Sequence, residues 1–64
     1  MTLKKNLPAR QTELQSLLAT PTGKVELQDL ESRYAEASGR PRPGKQSIIT
    51  YILVYEREHG LIDS

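Results

Sequence analysis

Apolar residues recur along this chain mostly at helical rather than alternating spacing. Leu14, Leu17 and Leu18 stand at i, i+3 and i+4, the stripe of an amphipathic helix. Just ahead, Asn6-Leu7-Pro8 is a helix entrance. Asparagine can cap exposed backbone N–H groups, and proline in the first turn loses no intrahelical hydrogen bond. Pro21 disfavours helical geometry at Thr20, so a first helix is predicted over residues 7–19, followed by turn material in Thr-Pro-Thr-Gly, residues 20–23. A second stripe, Leu27, Leu30, Tyr34 and Ala37 at i, i+3, i+7 and i+10, predicts a helix over residues 26–38. Glu26, Asp29 and Glu31 near that start suit the positive end of a helix dipole, and Val25 reads as a strand of one or two residues. Gly39 and the Arg-Pro-Arg-Pro-Gly that follows it cannot continue a helix.

The third apolar segment is ambiguous. From Ile48 to Tyr55 the residues are mostly β-branched and aromatic, with Thr50 the single polar member, a composition that favours a strand. Its only candidate strand partner is the short Lys-Val-Glu-Leu of residues 24–27, and a lone two-stranded ribbon is marginal. On a helix, Ile48, Ile52, Tyr55 and His59 share one face, with Ile49 and Tyr51 at its edges. Gly60 then closes the helix and Leu61 folds back on its last turn. A helix over residues 45–59 is therefore predicted, with burial overriding propensity. Its opposite face carries Gln46, Ser47, Thr50, Leu53, Val54 and Arg57, polar at the start and apolar midway. A helix apolar nearly all round is covered on more than one side.

The expected core is Leu14, Leu17, Leu18, Val25, Leu27, Leu30, Tyr34, Ile48, Ile52, Tyr55 and Leu61. Residues 1–64 make one small domain, with residues 1–6 as a flexible N-terminal arm. The expected class is mainly α: a three-helix helix-turn-helix core, winged-helix-like, with a short or truncated wing.

Charge changes this picture through its distribution. The net charge is +1, but Lys4, Lys5 and Arg10 come first without an acid. Glu26, Asp29, Glu31 and Glu36 then face a single Arg33, and Arg40, Arg42 and Lys45 follow without an acid. Two basic segments flank an acidic one, which permits either a basic face or an ordinary solvated surface. There is no cysteine and His59 is the only histidine, so a nucleophile–base pair or a convergent metal-ligand set has nothing to draw on. Catalysis is argued against, and no cofactor or metal is expected. Gly23-Lys24 lacks the rest of a phosphate loop. No signal peptide and no membrane span are expected, and the reading is of a soluble, cytoplasmic protein.

The order helix, short strand, helix, loop, helix, then Gly-Leu-Ile at residues 60–62 resembles the winged helix-turn-helix domains of bacterial transcriptional regulators. The resemblance runs from Leu7 to Ile62 and rests on generic features: the leucine stripe, the Pro-Gly turn before a Val-led second helix, and the third helix ending in Gly-Leu-Ile. It implies double-stranded DNA as the partner and the third helix as the reader of the major groove. Gln46, Ser47 and Thr50 would face bases and Lys45 the backbone. Base reading from the first turns of a helix suits Gln, Ser and Thr, while Arg40 and Arg42 on a proline-stiffened loop suit phosphates. The stretch Val-Glu-Leu-Gln-Asp-Leu through Tyr34 to Pro43 is similar to LOTUS (OST-HTH) domains, which would imply RNA instead. A third reading takes Ile49, Tyr51, Leu53 and Val54 as the seam of a homodimer or a dock for a protein partner.

Overall fold

Each of the three predicted helices forms, and each begins on a side-chain cap. A computed structural model describes residues 4–63, with α1 at Leu7–Leu17, α2 at Pro21–Ser38 and α3 at Ile48–Glu58. Asn6 accepts the N–H of Ala9 at 2.9 Å to open α1, with proline in the first turn as the sequence suggests. Thr20 accepts the N–H of Gly23 at 2.9 Å, and Ser47 that of Thr50 at 3.1 Å. Such caps are each worth about 1 kcal/mol.

The second helix starts five residues before the predicted position. Pro21 breaks α1, as expected, and also occupies the start of α2, where its fixed φ is already helical. Residues 20–23 are therefore a cap and a first helical turn. Val25 is helical and 65% exposed rather than a strand in the core, and Glu26, Asp29 and Glu31 fall beyond the first turn. The link between α1 and α2 is only residues 18–20. This tight corner requires Gly23: a Cβ there would collide with the Leu17 carbonyl oxygen and stand 2.6 Å from the Leu17 Cα. The other boundaries are shorter than predicted, α1 stopping at Leu17 and α3 starting only at Ile48, because Lys45 and Gln46 belong to a turn in which Gln46 N–H reaches the Pro43 carbonyl at 3.0 Å.

Each helix packs on both others, around Leu14, Leu27 and Ile52, which are essentially fully buried, with Ile49 and Tyr51 beside them. Leu17, Leu30, Tyr34, Ile48 and Leu53 cover this cluster in part. Leu18 and Leu61, placed in the core by the sequence pattern, are 42% and 51% exposed, and Ile62 is buried in place of Leu61. The buried face of α3 runs through Ile49, Ile52 and Glu56 rather than Ile48, Ile52, Tyr55 and His59. It is turned by about one residue because a glutamate takes the last core position.

Glu56 is 3% exposed and is the one buried charged residue among those described. Arg10 of α1 grips it in a two-pronged contact, Nε and Nη2 donating to its two carboxylate oxygens at 2.8 and 2.7 Å. The Tyr34 hydroxyl of α2 donates to the same carboxylate at 2.7 Å. An isolated buried carboxylate would be very costly, so this charge is retained only through its forked partner and the phenol. Arg10 also pairs with Glu13, and Glu13 with Lys5. The hydrogen bond from Lys5, then that from Arg10, holds the Glu13 carboxyl below its usual range. Burial, and then the hydrogen bond to Glu56, pushes the Tyr34 phenol up to about 12.

The Tyr34 ring stacks on Tyr55, and Tyr55 on His59, with 4.0 Å between centroids in both pairs. The last turn of α3 closes as a Schellman motif: Gly60, at φ 69°, donates to Arg57 and Leu61 to Glu56. The chain then turns back to α1. Leu7 N–H donates to the Asp63 carbonyl at 2.7 Å and Asp63 N–H to the Lys5 carbonyl at 2.9 Å, a single parallel bridge between Asn6 and Asp63. Lys5 and Asn6 are thus docked rather than part of a flexible arm, whereas residues 1–3 lie outside the described residues. Among the described residues no β-hairpin forms, and no helix is long and apolar enough to cross a membrane.

Candidate functional site

The nine residues between α2 and α3, 39–47, carry most of the sequence-predicted site. Proline at 41 and 43 limits their backbone freedom, and side chains tie them down on both sides. The Tyr51 hydroxyl of α3 donates to the Arg40 carbonyl at 2.6 Å. Arg42 pairs through Nε with Glu31 of α2 and donates through Nη1 to the Gln46 carbonyl at 2.6 Å. Arg42 was expected at a phosphate, but its charge is matched by Glu31 and its fork bonds its own loop. It clamps the loop.

The remaining predicted readers gather at the start of α3. Ser47 and Thr50 are exposed, and Ser47 Oγ also donates to Thr50 Oγ1 at 2.8 Å. Lys45 and Arg40 are exposed and enter no ion pair among the described residues. Gln46 is half-buried. Going down the helix, Ser47, Thr50, Val54 and Arg57 follow at intervals of three, four and three, which aligns them on one outward stripe, with exposed Glu58 one turn below Val54 at its edge.

The four apolar positions proposed as an interface do not stay together. Ile49 and Tyr51 are buried in the core, at 9% and 8% exposure, because the helix is turned toward Glu56. Leu53 packs partly on the core and Val54 is half-buried. Leu53 and Val54 join Leu7, Thr50 and Arg57 around a shallow hollow of about 180 Å³ between the start of α1 and α3.

A larger groove, of about 410 Å³, lies between the proline loop and α3, with Val54 on the ridge between the two hollows. Its helix wall is Tyr51, Val54, Tyr55, Glu58 and His59, the i, i+3, i+4, i+7, i+8 pattern of one helix face. Sequence reasoning missed this groove. It placed Tyr55 in the core, Tyr51 and Val54 at an interface, and read the prolines only as stiffeners, although Pro41, Pro43 and that face together were the available signal. Among the described residues no three His, Cys, Asp or Glu side chains gather as a metal site. Comparisons of the chain with protein-family models, curated proteins and solved structures find no match.

Proposed function

We propose that this domain binds nucleic acid, reading the major groove of double-stranded DNA with the first turns of α3 and acting in the cytoplasm as a transcription-regulator-type module. The observation that carries the reading is the outward stripe of α3. It presents exposed Ser47 and Thr50 at its N-terminal turn and Arg57 further along. Lys45 and Arg40 flank its start without a carboxylate partner among the described residues. Short hydroxyl side chains at the start of a helix suit base edges, and flanking cations suit phosphates. Arg42 has no part in this, since its charge is already matched.

The apolar hollow of Leu7, Leu53 and Val54 in the middle of the same stripe favours a second reading, contact with a second copy or a protein partner. Amide NMR titration with duplex DNA at two salt concentrations separates the two. DNA binding gives shifts at Arg40, Lys45, Ser47, Thr50 and Arg57 that weaken with salt, the slope shrinking by about 0.9 for each phosphate contact removed by Lys45→Ala or Arg57→Ala. Absence of shifts at low salt, with a mass above that of one chain in solution, replaces the DNA reading with the interface.

A further inference from the structure

We propose that the groove between the 39–47 loop and α3 binds an unpaired nucleotide, with the base held between the proline wall and the aromatic wall. This goes beyond the duplex reading and does not depend on it, because the groove shares only Val54 with the outward stripe and its other walls are the loop, Tyr51, Tyr55, Glu58 and His59.

Size and shape come first. At about 410 Å³ the groove falls in the range of small-molecule clefts. Its walls are built before any ligand arrives: Tyr51 holds the Arg40 carbonyl, and Arg42 fastens the loop to Glu31 and to Gln46. Preformed walls lower the ordering cost of binding. Both sides suit a flat ring. The loop contributes the faces of Pro41 and Pro43, and the helix contributes Tyr51 and His59. His59 is the exposed end of the Tyr34–Tyr55–His59 stack. Tyr55 covers one face of its imidazole, and the other face can carry one more ring. Stacking on such a platform is how unpaired bases are held.

The charges at the rim select the kind of ring. Arg40 lines the groove and enters no ion pair among the described residues, so it can meet a phosphate. Glu58 also lines the groove, is exposed, and enters no ion pair among them. An ionised carboxylate only accepts hydrogen bonds, so it suits a base with an exocyclic amino group: guanine, adenine or cytosine. An anion at one rim and a donor at the other describe a nucleotide better than a fatty acid or a neutral aromatic.

The test is NMR titration of the full chain with GMP, AMP, CMP and UMP, following backbone amides and the ring protons of His59, Tyr51 and Tyr55. The expected result is saturable shifts confined to residues 38–46 and 51–59, upfield ring-current shifts at His59, and tighter binding of the three amino-bearing nucleotides than of UMP. Arg40→Gln should weaken all four by about fivefold, the value of one exposed ion pair. Glu58→Ala, which removes the acceptor, should abolish the preference over UMP. Both side chains are exposed, and an unchanged melting temperature in each variant ties the effect to the groove. Three results overturn the proposal: no shifts into the millimolar range, equal shifts with inorganic phosphate alone, or shifts with a polyproline peptide but not with nucleotides. The last would make the groove a peptide site. None of them bears on the duplex titration, which is told apart by shifts at Ser47 and Thr50, outside both stretches.

Discussion

The two layers of this three-helix core are held by opposite chemistry. In one, Leu14, Leu27, Ile49 and Ile52 meet through contact alone. In the other, Arg10, Tyr34 and Glu56 bring one residue from each helix onto a single carboxylate. The apolar layer is graded, since its contribution scales with the surface it buries and neighbours can relax around a change. The ionic layer is conditional. Its value depends on every partner being present, and removal of one leaves another buried without compensation. A small domain can draw cohesion from the first layer and alignment of its helices from the second.

The largest expected effect is therefore Glu56→Ala, which leaves the Arg10 guanidinium with Glu13 alone and the Tyr34 hydroxyl without its acceptor, and should cost about 3–5 kcal/mol. Urea denaturation should find most of the protein unfolded, and a midpoint near that of the parent would show that the ionic layer contributes little. Ile52→Ala follows at about 2–5 kcal/mol, with Leu30→Ala toward the lower end because Leu30 is only partly buried. The same denaturation series should order them that way, and the reverse order would move the centre of the core from α3 to α2.

Tyr34→Phe comes next, at about 1–2 kcal/mol for a lost hydrogen bond to a charged group. It also carries a pH signature. The Tyr34 phenol is pushed up to about 12 in the fold, so the unfolded chain loses this proton first. The stability linked to Tyr34 is complete below about pH 10 and is lost as pH rises from there through about 12. Melting temperature measured across that window should fall more steeply in the parent than in the phenylalanine variant, and parallel curves would remove Tyr34 from the linkage. The smallest net change is expected from replacing all three groups together. Arg10→Met with Tyr34→Phe and Glu56→Leu should be near neutral in stability, and a loss as large as that of Glu56→Ala alone would mean that shape rather than charge pairing holds this layer.

Only the apolar layer was legible in the sequence. Leu14, Leu27 and Ile52 sit on helical stripes that any amphipathic pattern exposes, and the existence of three helices follows from them. The ionic layer joins positions 10, 34 and 56, and nothing in the local pattern pairs an arginine with a glutamate 46 residues away. Glu56 therefore has no place in the expected core. The face of α3 was consequently drawn toward Tyr55 and His59, which put Ile49 and Tyr51 among interface candidates when they are core. Pro21 was misjudged for a different reason: one residue serves as the stop of α1 and the start of α2, and a breaker signal alone does not distinguish these. At the candidate site, the exposed placement of Ser47 and Thr50 at the start of α3 was legible in the sequence. The engagement of Arg42 was not, because its partner Glu31 lies on another helix.

The bridge between Asn6 and Asp63 makes chain order almost incidental to this fold. With Asn6 and Asp63 side by side, a few residues suffice to join these two positions, and the ring can be reopened in the exposed stretch around Gly44, where no helix is cut. Such a circular permutant would begin with α3 and end with α2 while keeping all three helix contacts. The same adjacency lets the whole domain be inserted into a surface loop of another protein without forcing the host's loop ends apart.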